Sequence, residues 1–262
     1  MDVSKSQIKF VRGLQMKKNR DEEHLFVAEG LKSIVMLYAH FELVDCFVDP
    51  SVIDMQSEEM LTIQKHAPQR VYIATNEDIS KMSSMRTPQG IIGVFRQSSY
   101  PTQSESPQGL CLVLDSIQDP GNMGTIIRTA DWFGVKDIYC SPQTVDCYNP
   151  KVIQATMGSL GHVRIHYLSL PKWFVQLPPS VPIIGTLLDG KNIYTPNAFP
   201  KNETCIIIMG NEGKGISDEI KQYITHPVCI PSYALGSAPM DKPESLNVSI
   251  ATGIILAKYR ES

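Results

Sequence analysis

No apolar run in the 262 residues approaches the roughly 18 that a membrane-crossing helix needs. The first 25 residues are polar and charged, so the sequence predicts a cytoplasmic protein without a secretory signal. The six cysteines, Cys46, Cys111, Cys140, Cys147, Cys205 and Cys229, form no C-x-x-C pair. Several lie in apolar runs, so buried, reduced thiols are expected and a metal site is not. The glycine-rich stretch "GNEGKG" (210–215) has the order G-x-x-G-x-G, the reverse of the dinucleotide fingerprint. Nor is it a Walker loop, because Lys214 is followed by Gly215 where that loop has Ser or Thr. These absences argue against a membrane protein, a metal centre and a nucleotide-binding oxidoreductase.

What remains is an ordinary globular composition, 42% hydrophobic and 19% charged, long enough for two domains. The net charge of −3 does not suggest nucleic acid, but its distribution does. Residues 1–20 carry Lys5, Lys9, Arg12, Lys17, Lys18 and Arg20 against Asp2 alone, a local charge of +5. A basic segment on an acidic body can bind a phosphate backbone, which makes Arg12, Lys17, Lys18 and Arg20 candidate RNA contacts. A solvated helix face is the competing reading.

The Ser/Pro/Gln-rich stretch "SSYPTQSESPQG" (98–109) has no periodicity and reads as a linker between regions 1–97 and 110–262. The first region mixes helical stretches at 4–19 and 29–40 with short strands at 25–30, 43–49, 70–75 and 90–96, a small α/β module. The second has apolar runs at 111–114, 137–140, 163–167, 181–187 and 205–209. Helical stretches near 122–133, 150–159 and 217–224 fall between most of them. Short apolar strands with helical crossovers imply a buried, mostly parallel sheet, with ligands beyond the carboxyl ends of its strands.

Three stretches fall at those ends. In "DPGNMGTIIRTADWFGV", Asn122 is an N-cap candidate, and Met123, Ile126, Ile127 and Ala130 form a buried stripe. Arg128 lies off that stripe, one turn from Gly124, either to meet a ligand or to pair with Asp131 or Asp115. Gly134 ends the helix. In "MGNEGKGIS", Glu212 stands among glycines, either in a site or as the cap of a helix starting near Ser217. In "SLNVSIATG", Ser245 is an N-cap candidate for the last helix. Asn247 needs a polar partner or solvent.

Together these stretches resemble the three motifs of the SpoU/TrmH group of the SPOUT methyltransferases, in the same order, over most of residues 110–260. "KNR" (18–20), "VAEG" (27–30) and "TPQGIIGVF" (87–95) are similar to that family's ribosomal-protein-like RNA-binding module. The resemblance implies an α/β fold with a C-terminal trefoil knot and a homodimer with its active site completed across the interface. It also implies S-adenosylmethionine as cofactor and methyl transfer to a ribose 2′-hydroxyl of RNA, without metal. By resemblance, Asn122, Arg128, Glu212, Ser245 and Asn247 are the catalytic or structuring residues. Thr186, Gly210, Ile230 and Leu246 would hold the adenosyl group. The family's proposed base corresponds to Arg128, whose guanidinium holds its proton tightly. The sequence does not choose between that role and binding of the adjacent phosphate. The family pattern is lengthened here by Ser232 to Glu244 before Ser-Leu-Asn. Ribosomal RNA is favoured as substrate, on the N-terminal module. Transfer RNA is the alternative within the class, and a non-catalytic RNA-binding or assembly protein the alternative outside it.

Overall fold

A computed structural model of the chain describes residues 3–98, 106–200, 202–233 and 245–261. It divides into two compact units, Met1–Ser99 with Asp146–His162, and Tyr100–Val145 with Val163–Ser262. The expected linker falls largely on residues 99–105, outside the described residues.

The first unit opens with α1 (Lys5–Gly13) and α2 (Lys17–Glu23). Ser4 caps α1 through a capping box with Gln7. The sequence predicts one helix over 4–19, and the structure breaks it after Gly13. The break is stable because side chains of α2 satisfy carbonyls released at the end of α1. Asn19 Nδ2 donates to Gly13 O at 2.8 Å, and Arg20 Nη1 donates to Leu14 O and Gln15 O at 2.9 and 2.8 Å. Then follow β1 (Leu25–Glu29), α3 (Leu31–Tyr38), β2 (Leu43–Val48), α4 (Glu58–His66), β3 (Val71–Ile73), α5 (Asn76–Met82) and β4 (Ile91–Arg96). The sheet order is β1-β4-β2-β3, with β4 antiparallel to both neighbours and β2 parallel to β3.

The second unit holds β5 (Leu110–Asp115), α6 (Pro120–Trp132) and β6 (Asp137–Cys140). The next helix, α7 (Pro150–Thr156), is counted with the second region in the sequence reading but lies in the first unit. Its segment packs there closely. Tyr148 lies 4.8 Å from the Phe26 ring, and a Cβ at Gly158 would come within 2.6 Å of Met36 Cβ. The second unit resumes with β7 (Arg164–Tyr167), α8 (Leu170–Phe174), β8 (Ile183–Asn192), β9 (Cys205–Gly210), α9 (Asp218–Lys221), β10 (His226–Cys229) and α10 (Val248–Glu261). Six strands form one sheet in the order β10-β8-β9-β5-β6-β7, every neighbouring pair parallel. The buried mostly parallel sheet is therefore as expected, with β5 and β9 fully buried at its centre. The C-terminal stretch for which a knot is implied includes residues 234–244, which lie outside the described residues.

Five of the six thiols are buried and Cys229 is half-buried. Burial pushes Cys46 and Cys111 up to about 12 and Cys205 to about 11, so these thiols act as apolar filling. Among the described residues no helix is long and apolar enough to cross a membrane, and no cluster of side chains could hold a metal ion.

Candidate active site

The carboxyl ends of β10, β8, β9 and β5 lie side by side, and the three sequence motifs meet there. After β5, Ser116 takes a left-handed conformation (φ 61°), and its N–H is held by Ser141 Oγ at 2.8 Å. The chain then enters α6. Asp119 caps this helix, its carboxylate accepting from Asn122 N at 2.8 Å, with Pro120 in the first turn. This corrects the reading of Asn122 as the cap. Because Asp119 does that work, the Asn122 side chain is released into the site. Gly134 (φ 72°) ends the helix as expected. Gly134 N donates to Asp131 O and Val135 N to Ala130 O, the pattern of a Schellman turn.

After β9, residues 211–215 close a tight turn, with Asn211 and Gly215 exchanging backbone hydrogen bonds of 3.0 and 2.8 Å. Gly210 is required by this turn itself. A Cβ there would lie 2.2 Å from Ile216 N and 2.3 Å from the Gly215 carbonyl carbon. Glu212 does not cap α9. Ser217 precedes that helix, and its N–H donates to the buried Asp115 carboxylate at 2.8 Å.

Glu212 instead accepts from Asn122 Nδ2 at 2.9 Å, and Asn122 Oδ1 accepts from Asn247 Nδ2 at 2.8 Å. Three residues drawn from three separated motifs thus form one hydrogen-bonded row. Asn247 also caps α10, its Oδ1 accepting from Ser249 N at 2.9 Å and Ile250 N at 3.3 Å. The cap of the last helix is therefore Asn247 and not Ser245, which is exposed two residues before it. Helix α10 packs on α6, and Arg260 near its end donates to Phe133 O at 2.9 and 2.7 Å.

Arg128 is exposed on α6, six residues beyond Asn122, which at 1.5 Å per residue is about 9 Å along the axis. It stands apart from the row. Of the positions expected to hold the cofactor, Gly210 ends β9, and Ile230 follows β10 half-buried. Thr186 lies on β8 between them and bonds Ile208 O at 3.1 Å. Leu246 is 47% exposed beside Asn247. Gly210, Thr186 and Ile230 thus lie on or just after the three neighbouring strands β9, β8 and β10, where main-chain polar groups and small side chains leave room for a flat heterocycle with polar edges.

In the first unit Arg12, Lys17 and Lys18 are exposed, as a phosphate contact requires. Arg20 is not. It is 1% exposed and pairs with Asp146 through Nε at 3.1 Å and Nη2 at 2.6 Å. With Nη1 committed to two carbonyls, it has no face for RNA. The reading of Arg20 as an RNA contact is corrected: it is a structural arginine.

Residues 109–257 match the SpoU rRNA Methylase family, and residues 5–93 match an MRM3-like substrate binding domain. The chain belongs to the SpoU rRNA methylase family. It is 33% identical to an uncharacterized tRNA/rRNA methyltransferase of Synechocystis sp. over 198 residues, 72% of this chain and 66% of that one. It is 26% identical to the 23S rRNA (guanosine(2553)-2′-O)-methyltransferase RlmP of Bacillus subtilis, over 97% of this chain and 95% of that one. Its structure is similar to an AdoMet-bound rRNA methyltransferase from Sinorhizobium meliloti, with a TM-score of 0.83 and 30% identity. That likeness covers 100% of this chain and 97% of the other. The SpoU family match spans all three motifs, and the substrate-binding match lies on the first unit.

One residue of the site is missing from the sequence reading. Asn211 Nδ2 donates to Ser116 O at 2.7 Å and approaches Glu212 Oε2 at 3.4 Å, while its Oδ1 accepts from Gly213 N and Lys214 N, each at 3.0 Å. Its signal was present. An asparagine opening a glycine-rich turn is the residue type that bonds its own backbone two and three positions on.

Proposed function

We propose that this protein is an S-adenosylmethionine-dependent methyltransferase acting on a ribose 2′-hydroxyl of ribosomal RNA. The observation that carries the reading is the row Glu212–Asn122–Asn247, which ties together the three motifs at the carboxyl edge of a parallel sheet. The relatives named for rRNA and AdoMet support the substrate and the cofactor. Gly210, Thr186, Ile230 and Leu246 hold the adenosyl group. The cofactor supplies a methyl already activated on a sulfonium.

The protein must then align the acceptor oxygen and relieve it of a proton. Asn122 and Asn247 hold the strand-end turns in register and offer amide donors there. Arg128 meets the nucleotide. Its guanidinium binds the neighbouring phosphate and stabilises charge developing on the oxygen. Arg12, Lys17 and Lys18 bind RNA phosphates away from the reacting nucleotide.

The protein works as a cytoplasmic homodimer. The exposed Trp132 on α6, 85% accessible, and Ile250 on α10, 56% accessible, offer apolar surface for the second subunit. The C-terminal stretch forms the knot of the SPOUT fold, with the first unit, which takes in Asp146–His162, as the RNA-binding domain and the second as the methyltransferase domain. Incubation with methyl-labelled cofactor and total RNA, followed by mapping of the modified nucleotide, tests the activity. Label on a ribosomal 2′-oxygen is the expected result. Label on transfer RNA would move the substrate, and label on no RNA would leave a binding protein.

A further inference from the structure

The row of polar side chains has a direction, and backbone groups at both ends set it. At one end Asn247 accepts two backbone N–H groups, from Ser249 and Ile250, so the accepting atom must be its oxygen. Its nitrogen therefore faces Asn122 and donates. The Asn122 atom that receives this bond must be oxygen, which leaves the Asn122 nitrogen to donate to Glu212. At the other end Asn211 accepts from Gly213 N and Lys214 N, so its nitrogen points to Ser116 O and Glu212 Oε2. No amide in the row can be flipped without leaving backbone N–H groups unpaired or setting like groups against each other.

We infer that Asn211 is a positioning residue that holds the Glu212 carboxylate between two amide donors and so keeps it in place as the acceptor of Asn122. The inference rests on the methyltransferase reading and deepens it. Each of the Asn122 and Asn247 amides places one N–H in the row and keeps its second N–H outside it. The row therefore presents donors to a bound nucleotide, suited to a ribose or phosphate oxygen. Glu212, with both oxygens facing amides, orients the row. Asn211 is well placed for this task. It ties the turn after β9 to the left-handed Ser116 after β5, so one side chain sets the spacing of two strand ends.

The test is Asn211→Asp, which preserves shape and keeps an oxygen for Gly213 and Lys214 but removes both donors. The expected result is a fall in kcat of about tenfold to a hundredfold, the scale of a small misplacement at a reacting centre, with KM for RNA within about twofold. With selective 15N labelling of asparagine, the Asn122 side-chain amide resonances should move in the variant. Asn211→Ala, which also strips the turn of its cap, should lose stability as well as rate. Unchanged kcat together with unmoved Asn122 resonances in Asn211→Asp would overturn the inference. An inactive wild-type protein would overturn the methyltransferase reading alone, because the amide resonances report on the row without turnover. If KM rose while kcat held, Asn211 would be shaping the RNA surface, and the positioning role would be wrong.

Discussion

Arg20 and Asp146, 126 positions apart in the chain, meet as an ion pair between a buried guanidinium and a half-buried carboxylate, with Nη2 2.6 Å from Oδ2. The arginine also holds the Leu14 and Gln15 carbonyls just past the first helix, so its removal would leave a carboxylate and two carbonyls without this partner. Arg20→Ala should cost about 3–5 kcal/mol, the range for breaking one side of a buried pair. Denaturant unfolding of the variant measures this. A loss below about 1 kcal/mol, the scale of an exposed pair, would make Arg20 a surface arginine in its energetics.

The exposed cations of the same segment should behave differently. Replacing Arg12, Lys17 and Lys18 together by Ala should leave the fold and cofactor affinity intact and weaken RNA binding. If each of the three neutralises one phosphate of single-stranded RNA, their removal should flatten the slope of log K against log salt by about 2. Binding measured from low to moderate salt decides it, and an unchanged slope would leave these side chains as a solvated helix face.

Arg128→Ala should lower methyl transfer by on the order of a hundredfold or more and preserve cofactor affinity and solution mass. Arg128→Lys should stay poor, since lysine keeps the charge and loses the planar fork. An arginine serving only the fold would reverse the pattern, with a lowered melting temperature and near-normal turnover by the folded fraction. Asp115 accepts from Ser217 N and Ser116 Oγ, which ties it to the turns after β9 and β5.

Asp137, the first residue of β6, accepts from His166 at 2.9 Å and from Arg164 at 2.7 and 2.6 Å. Burial pushes its carboxyl up, and the bonds from His166 and Arg164 outweigh burial and hold it down at about 2. A carboxyl depressed in the folded state stabilises the protein above its unfolded value, near 4, and loses that contribution as pH falls toward 2. The difference corresponds to about 2 kcal/mol. Wild type should therefore exceed Asp137→Asn by about that amount at pH 7, with the gap closing between pH 4 and pH 2. A gap independent of pH would show that packing, and not ionisation, accounts for the loss.

Much of this protein is legible from local pattern. The alternation of short apolar runs with helices gives the parallel sheet, because strands buried on both faces have no polar register to keep. The motif residues Asn122, Glu212 and Asn247 stand out for a related reason: polar groups beside glycines at strand ends have few structural excuses. Some misses were readable too. "TNED" at 75–78 carries the Thr75–Asp78 capping box of α5, and Ser57 caps α4. Other decisions belong to tertiary structure alone. Asp119, Asn122, Ser245 and Asn247 are all acceptable helix caps by residue type, and only the positions of α6 and α10 determine that Asp119 and Asn247 act as caps while Asn122 bonds Glu212. Lys18 and Arg20 are two residues apart in one basic run, yet one is exposed and the other buried. A charge run specifies how much charge a segment carries. Which of its members must be satisfied internally depends on a carboxylate 126 residues away, and that information is not local.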